Sequence, residues 1–419
     1  MRLLFIHNDY GEWSGEEAAA QGLAQVLADH GHEVSWFRRH STEVMATPYG
    51  KVKAFFAGIH NPFAARALAR RLDRDPVDLV QVQNLYPLLS PSILGPIKER
   101  GIPLVMRCPN YRLFCPSGLH LCGSRVCERC LSPGRELWCV LQNCAGDRCK
   151  SLGYAVRNAW ARLSRSIVRQ VDMFIVQTDF QKRKFTDQGI PAAHIGIVPG
   201  LAFEAGPIES NEMGDLVAFV GRVSPEKGIA EFLAAARRLP DVPFAVAGRD
   251  DGMPGLRVRA PENVTWLGFL SAGALRELYA RSRVVVVPSR CYEGFPNVIV
   301  QAMAWGRPVV AAGLGAMTCI VDHGETGLLF TAGDPEDLVT QLRILYDDPD
   351  LCRRMGTAAR ERALTRYGPE SVYGALRTVY QEAIEHNCRH GKRYSPKGRG
   401  DSVGRRPARS EAIASHNRF

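Results

Sequence analysis

The stretch VVVVPSRCYEGFPNVIVQAMAW, residues 284–305, decides the fold of the C-terminal half of this chain. Val284–Val287 are four consecutive β-branched residues, which is typical of a strand buried on both faces of a parallel sheet. A polar turn with Glu293 follows, and a helix is predicted to begin near Asn297. Free backbone N–H groups and the helix dipole meet at a helix N-terminus, so the unit predicts an anion site beside Glu293 and Gln301. A βα unit whose polar turn binds nothing is the alternative, and this stretch alone does not separate the two.

The composition is that of a folded protein with one strongly basic end. The chain has 419 residues, 46% hydrophobic and 23% charged, which is enough for two or three domains. Residues 389–419 contain nine Lys and Arg against two Asp and Glu, so +7 of the formal charge of +10 lies there. The polar composition of this tail predicts a disordered, solvated extension; contact with anionic lipid or nucleic acid is the alternative.

The apolar segments predict neither export nor a membrane span. The run Leu3–Ile6 is too short for a signal-peptide core, and prolines and glycines interrupt residues 294–321. The sequence therefore predicts a cytoplasmic protein.

Strand and helix patterns alternate in two series, which predicts an α/β protein of two tandem Rossmann-like domains facing a central cleft. The first domain is predicted over residues 1–199, with a cysteine-rich insertion at about 108–149. A linker is expected at Pro199–Gly214, within the boundary to a second domain over 200–370. A C-terminal helix, 371–388, is expected to pack back on the first domain.

The loop GRVSPEKG, residues 221–228, places Arg222 and Lys227 between a predicted strand and the next helix. Two cations beside helix N–H groups can bind a diphosphate, because Arg binds phosphate oxygens in pairs and Lys acts as a point charge. Ordinary surface charge is the alternative, and the strand–loop–helix context favours a binding role.

Several motifs together resemble glycosyltransferase family 4, whose members have the GT-B fold and transfer sugars with retention. They are the loop GRVSPEKG, the segment PSRCYEGFPNVIVQAMAWGRPVVA at 288–311, and HGETGLLF at 323–330. In the N-terminal half SGEE at 14–17 is similar to the first glycine-rich loop of the family. VQNLYPLLSP, NYRLFCPSG and CERCL resemble a bacterial branch with a cysteine-rich insertion. The resemblance covers about residues 1–385.

The resemblance implies a nucleotide-sugar donor on the C-terminal domain, an acceptor on the N-terminal domain and no catalytic cofactor. Arg222 and Lys227 would neutralise the negative charge that grows on the leaving diphosphate. Glu293 would bind donor-sugar hydroxyls, and the leaving phosphate would help to deprotonate the acceptor. The residues implied in donor binding are Gly15, Gly221, Gly294, Phe295, Pro296, Asn297, Val298 and Gln301.

The chain departs from the family pattern at four positions. The second glutamate of the donor motif is Gln301, and a further glutamate of the next loop is Cys319. Two histidines of the N-terminal domain correspond to Gln83 and Pro109, so no imidazole is predicted beside the reaction centre. Tyr111 and Arg112, in the NYR segment, are candidates for acceptor contacts or for a structural role.

Eight of the twelve cysteines lie between Cys108 and Cys149. The spacing Cys127-x-x-Cys130 favours a structural tetrathiolate zinc site, for which the chosen ligands are Cys115, Cys127, Cys130 and Cys144. Cys122, Cys139 and Cys149 are substitutes in that set. An iron–sulfur cluster and unliganded thiols packed as small hydrophobes are the alternatives.

The predicted helix Leu152–Arg169 combines arginines with Val156, Trp160, Leu163 and Ile167. Such a basic amphipathic helix can rest on anionic lipid near a lipid-linked acceptor. The favoured interpretation is a helix that covers a sheet and turns its charges to solvent.

These observations predict a retaining glycosyltransferase of cell-surface polysaccharide or glycolipid synthesis, with a sugar, glycolipid or lipid-linked acceptor. The first rival is a non-catalytic nucleotide-sugar-binding or scaffold protein. The second is a nucleic-acid-binding protein that uses the cysteine knuckle and the basic tail, and steep salt dependence of binding would be its signature.

Overall fold

The valine run Val284–Val287 lies in the middle of a parallel sheet and is at most 5% exposed in the computed structural model of the chain. The structure describes residues 1–10, 14–46, 48–202, 214–250, 253 and 255–390. Most of the predicted linker and nearly all of the predicted tail lie outside the described residues.

The N-terminal part forms a six-stranded parallel sheet with strand order β2-β1-β3-β4-β7-β8, and β5 and β6 form a separate antiparallel hairpin. The strands are β1 (Arg2–Asp9), β2 (Glu33–His40), β3 (Leu79–Asn84), β4 (Leu104–Arg107), β5 (Leu121–Cys122), β6 (Arg125–Val126), β7 (Met173–Val176) and β8 (Ile195–Ile197). The helices are α1 (Gly15–Asp29), α2 (Thr42–Met45), α3 (Gly50–Ile59), α4 (Pro62–Arg74), α5 (Leu94–Glu99), α6 (Leu137–Leu141), α7 (Arg148–Leu163) and α8 (Asp179–Asp187).

The C-terminal part repeats this plan with strand order β11-β10-β9-β12-β13-β14, again all parallel. The strands are β9 (Leu216–Val220), β10 (Phe244–Ala247), β11 (Val264–Gly268), β12 (Ser282–Val287), β13 (Val309–Ala312) and β14 (Gly327–Phe330). The helices are α9 (Ile229–Arg238), α10 (Ala272–Arg281), α11 (Asn297–Ala304), α12 (Met317–Ile320), α13 (Pro335–Asp347), α14 (Pro349–Tyr367) and α15 (Pro369–His390). Two parallel sheets covered by helices form the GT-B architecture that the motifs imply.

Helix α15 packs on the first sheet, although it follows the second one in the chain. Val372, Leu376 and Val379 lie in one core with residues of β1, β3 and β7. The Tyr380 hydroxyl donates a hydrogen bond of 2.6 Å to Oε1 of Gln81 on β3. The last helix therefore joins the two halves.

Helix α7 differs from the predicted helix in its bounds and in the direction of its charges. Asp147 caps it by accepting a hydrogen bond from the Lys150 amide, so it begins at Arg148 and ends at Leu163. Arg157 is 8% exposed, and Arg162 makes an inward ion pair with Glu136 of 2.9 Å. The prediction that the arginines of this helix face solvent is therefore wrong for these two.

Among the described residues no helix is both long and apolar enough to cross a membrane.

Candidate active site

Glu293 and Lys227 form an ion pair at the carboxyl ends of two adjacent strands. Lys227 ends a short 3₁₀ turn after β9, Glu293 follows β12, and these strands are neighbours in the sheet. Lys227 Nζ lies 2.7 Å from Glu293 Oε1, which also accepts a hydrogen bond of 2.7 Å from the Ser289 hydroxyl. The side chains are 28% and 14% exposed, so the pair is largely removed from water.

Each member of this ion pair stabilises the charged form of the other. Burial disfavours both charged forms, yet the neighbouring Lys227 ammonium lowers the pKa of Glu293 below its usual value. In the same way, the Glu293 carboxylate overcomes burial and raises the pKa of Lys227. The Arg222 guanidinium acts on both groups, and it is exposed to solvent and paired with Glu226 at 2.9 Å. The structure thus brings the three predicted catalytic residues together.

Glycines allow the loops after β9 and β12 to approach. Gly228 has a φ of 75° and precedes α9, and a Cβ there would lie 1.8 Å from the Pro288 carbonyl oxygen. Gly221 has a φ of 151° in the same loop. At Gly228 only glycine has both the positive φ and the space for the Pro288 carbonyl oxygen, which explains the glycine at the end of the GRVSPEKG motif.

Helix α11 begins beside Glu293 with Pro296 as its N-cap, and no side chain caps its first backbone N–H groups. The Ile299 N–H donates to the Pro296 carbonyl oxygen at 2.9 Å. The Oδ1 atom of Asn297 is buried without a hydrogen-bond partner. Gln301, one turn later, accepts a hydrogen bond of 3.1 Å from Tyr279. Phe295 is buried with its ring 5.5 Å from that of Tyr367, and Val298 packs on the same core.

Gly15 lies in the other half of the molecule, at the start of α1. Ser14 caps this helix and Glu17 completes a capping box. A Cβ on Gly15 would contact nothing within 4 Å.

The loop with Glu293 contacts the N-terminal domain directly. A Cβ on Gly294 would lie only 2.1 Å from the Pro109 carbonyl oxygen. The Tyr111 hydroxyl donates to the carbonyl oxygen of Glu293 at 3.4 Å, and Tyr292 N–H donates to the Leu119 carbonyl at 3.2 Å. Tyr111 is therefore a contact between the domains.

Tyr292 was missed by the sequence analysis. Its ring lies 4.9 Å from Phe180, 5.5 Å from His120 and 6.0 Å from Tyr111, all in the N-terminal domain. The Glu128 carboxylate of the cysteine-rich insertion interacts electrostatically with the Tyr292 hydroxyl. These partners precede it by more than 100 residues, so no local pattern marks the contact.

Six cysteines of the insertion, Cys115, Cys122, Cys127, Cys130, Cys139 and Cys144, interact electrostatically with one another. The neighbouring Cys139 thiol lowers the pKa of Cys144 below its usual value. All cysteines are free thiols, and Cys149 is exposed. Among the described residues, one group of three potential metal ligands has its ligand atoms within 4.8 Å of one another. It consists of His7, Asp9 and Glu17 and contains no cysteine. No three sulfur atoms of the predicted zinc ligands therefore lie within 4.8 Å of one another.

Two of the positions that depart from the family pattern, Cys319 and Pro109, lie near the domain contact. Cys319 acts electrostatically on Tyr111, and Pro109 contacts the Gly294 backbone through its carbonyl. Gln83 is buried at the end of β3, and neither amide atom has a hydrogen-bond partner.

Comparison with known proteins agrees with this geometry. Residues 14–200 match the model described as "Glycosyl transferase 4-like domain", and residues 214–348 match "Glycosyl transferases group 1". Alpha-maltose-1-phosphate synthase of Mycolicibacterium smegmatis is 34% identical over 204 residues, which is 43% of this chain and 52% of that protein. D-inositol 3-phosphate glycosyltransferase of Mycolicibacterium gilvum is 32% identical over 246 residues, 52% of this chain and 54% of that protein. The chain spans about half the length of the curated relatives it matches.

Two solved structures share the fold over nearly the whole chain. Sucrose-phosphate synthase from Thermosynechococcus elongatus has a TM-score of 0.69 at 19% identity, covering 92% of this chain and 99% of that one. Anabaena Alr3699/HepE in complex with UDP and glucose has a TM-score of 0.63 at 18% identity, covering 91% and 99%. The two separate parallel sheets and the similarity to these structures define a two-domain protein with the GT-B fold. The chain belongs to glycosyltransferase family 4.

Proposed function

We propose that this protein is a retaining glycosyltransferase that moves a sugar from a nucleotide-sugar donor to an acceptor hydroxyl, in cell-surface polysaccharide or glycolipid synthesis. The observation that carries the proposal is the Lys227–Glu293 ion pair of 2.7 Å, which lies beside Arg222 and the N-terminus of α11. Structures of HepE with UDP and with UDP-glucose support a nucleotide-sugar donor for a protein of this fold.

In the proposed reaction, the donor diphosphate lies between Arg222, Lys227 and the first turn of α11. Negative charge on the leaving phosphate increases as the bond to the sugar breaks, and fixed cations stabilise that charge without reorganising. Glu293 keeps Lys227 charged and in place, and its carboxylate faces the hydroxyls and the developing positive charge of the sugar. The leaving phosphate accepts the acceptor proton, which requires no imidazole at Gln83 or Pro109.

Replacing Arg222 with alanine tests the donor site. We expect about 10- to 100-fold weaker nucleoside diphosphate binding and a parallel loss of turnover, since a charge-assisted contact is lost. Thermal shift with nucleoside diphosphates and their sugars gives binding, and nucleoside diphosphate release gives turnover.

Arg389→Ala is the matched control, because Arg389 pairs with Glu385 four residues away and is 70% exposed against 69% for Arg222. Unchanged binding and turnover in Arg222→Ala would contradict the assigned role. Donor binding without nucleoside diphosphate release with any acceptor would instead identify the non-catalytic alternative.

We propose as well that the cysteine cluster binds one structural zinc ion through Cys115, Cys127, Cys130 and Cys144. The support is the electrostatic influence of Cys115, Cys127 and Cys144 on Cys130, together with the packing of Cys144 against Cys130. A bound zinc ion would hold four sulfurs in a tetrahedron, each about 2.3 Å from the metal. Cys139 is the alternative fourth ligand, because it packs with Cys130 and Cys144.

Metal analysis of the purified protein is expected to give about one zinc per chain. Cys130→Ser should lose this zinc because Cys130 belongs to either ligand set, whereas the exposed Cys149→Ser should retain it. A zinc content far below one per chain in the unchanged protein would rule the proposal out.

Finally, we propose that the protein docks on an anionic membrane surface through helices α3, α6 and α7. Helices α3 and α6 each pack on α7. Large apolar side chains on these helices are exposed instead of buried, among them Phe56 at 63%, Trp160 at 55% and Leu163 at 71%. The whole set, called the apolar face below, is Val52, Phe56, Leu137, Trp138, Leu141, Leu152, Val156, Trp160 and Leu163.

Exposed cations accompany the apolar face. Lys53 lies on α3, Arg148 and Lys150 begin α7, and the Arg129 guanidinium lies 5.3 Å from the ring of Trp138. Apolar side chains surrounded by Lys and Arg match the interface of an anionic bilayer. Such a surface would bring a lipid-linked acceptor to the N-terminal domain.

A further inference from the structure

The N-terminal domain contains three arginines near the ends of its central strands. Arg107 ends β4, Arg112 follows in the NYR segment, and Arg157 points inward from α7. Arg107 is 4% exposed and Arg157 is 8% exposed. Removing a guanidinium from water is unfavourable unless an anion or several acceptors replace the solvent.

The carboxylate of Glu16 interacts with this group of arginines. Glu16 accepts hydrogen bonds from the Tyr10 hydroxyl at 2.6 Å and from the Asn110 amide at 2.9 Å. Arg112 reaches Glu16 through Tyr10, with its Nη1 donating to the Tyr10 oxygen at 2.8 Å. The Glu16 charge also acts on Arg107 and Arg112. Three cations against one anion leave a net charge of +2 in this group.

Neither Arg107 nor Arg157 makes an ion pair or a side-chain hydrogen bond with the described residues. Arg157 instead stacks on two aromatic rings, 3.9 Å from the centre of Tyr86 and 4.8 Å from that of Tyr154. Stacking holds the guanidinium plane in place and leaves its N–H groups, which lie at the edge of that plane, available to oxygen.

Two further polar groups at this end of the sheet are buried without hydrogen bonds. They are both ring nitrogens of His7, on β1, and both amide atoms of Gln83, on the adjacent β3. The carboxylates near His7 do not neutralise the arginines. Asp9 lies 3.5 Å from His7 and 3.3 Å from His40, and Glu17 binds the backbone N–H groups of Tyr10 and Ser14. Buried donors and acceptors without partners indicate a place for a ligand.

The arginine group lies beside the proposed reaction centre. Asn110 and Arg112 flank Tyr111, whose hydroxyl bonds the Glu293 carbonyl, and the Pro109 carbonyl contacts Gly294. A ligand bound there is on the acceptor side of the cleft and is separate from Arg222 and Lys227.

We propose that Arg107, Arg112 and Arg157 bind a phosphate group of the acceptor, so that the acceptor is a phosphate ester or a diphosphate and not a neutral sugar. The inference rests on the proposed function for the identity of the ligand as the acceptor. Guanidinium groups bind phosphate oxygens in pairs, and the amide of Gln83 is available to adjacent hydroxyls. A free sugar phosphate and a lipid-linked diphosphate share this chemistry.

Titration calorimetry with inorganic phosphate, in the presence of saturating UDP, tests the site without turnover. We expect phosphate to bind the full chain and to bind at least about 10-fold more weakly in Arg107→Met and in Arg157→Met. Arg354→Met, a change at an exposed arginine of α14, should bind phosphate like the unchanged protein. Phosphate binding that is absent in the unchanged protein, or undiminished in both variants, overturns the proposal.

Two further measurements test whether Arg157 binds phosphate or only stabilises the fold, and whether the phosphate site is separate from the donor site. The melting temperature of Arg157→Met without ligand should stay equal or rise, because removing a charge buried without a counter-ion offsets the loss of its stacking on Tyr86 and Tyr154. A clear fall would show that Arg157 is structural and would overturn its assignment. Arg222→Ala should still bind phosphate even if the donor assignment fails.

The chemical class of the acceptor is tested in the turnover assay with pairs of acceptors that differ only in the presence of a phosphate group. Arg157→Met should lower kcat/KM at least about 10-fold for phosphorylated acceptors and much less for neutral ones. Activity with a soluble sugar phosphate identifies the free ester as the source, and activity only with a polyprenyl diphosphate sugar identifies the lipid. Preference of the unchanged protein for neutral acceptors contradicts the proposal.

Discussion

Replacing Lys227 with methionine is expected to lower kcat/KM at least about 100-fold. The ammonium group is a partly buried cation at the site proposed for the leaving diphosphate, and loss of one preorganised group at such a site typically costs a factor of about 100 to 1,000. The change also leaves Glu293 without the partner that lies 2.7 Å away. We therefore expect a loss of stability of about 1–3 kcal/mol, measured by denaturant unfolding.

Two controls separate catalysis from stability. In the double variant Lys227→Met, Glu293→Gln the buried charge is gone, so the free energy of unfolding should largely recover while activity stays low. Lys98→Met breaks another largely buried pair, with Asp172 at 2.8 Å, where the lysine is 23% exposed. It should destabilise the fold and leave kcat/KM of the folded protein unchanged. A Lys227→Met enzyme within about threefold of normal activity would exclude the diphosphate role.

Replacing Trp160 and Leu163 together with serine is expected to weaken binding to anionic vesicles at least about 100-fold. Each large apolar side chain that enters the interface contributes about 1.5–3 kcal/mol, and each 1.4 kcal/mol is tenfold in affinity. Both side chains are more than half exposed, so their removal should leave the fold intact. Sedimentation with vesicles of phosphatidylglycerol and phosphatidylcholine measures the partition.

Ile344→Ser, Leu364→Ser is the matched control, because both residues are 43% exposed on helices of the other domain. It should bind vesicles as the unchanged protein does. Added salt should weaken binding by screening the cations near the apolar face. Vesicle binding that is equal in the two double variants would show that α7 does not dock on lipid.

Much of the C-terminal site could be predicted because its determinants are local. The valine run, the glycine of GRVSPEKG and the start of α11 near Asn297 each follow from residues a few positions apart. Where a capping side chain sets the end of a helix, the pattern of apolar residues does not predict the bound. Helix α7, capped by Asp147, begins at Arg148, four residues before the predicted start at Leu152. The two helices between residues 42 and 59 were not predicted at all.

The sequence by itself determined the two-sheet α/β class, the family and the identity of the charged groups, because strand burial, loop glycines and motif spacing depend on neighbours in the chain. Only the tertiary structure decided which groups meet. It paired Lys227 with Glu293, brought Tyr292 to the insertion, and turned Arg157 inward while Trp160 faces outward. These outcomes depend on contacts between residues far apart in the chain, and the favourable partner of a charge or an apolar side chain is known only once those contacts form.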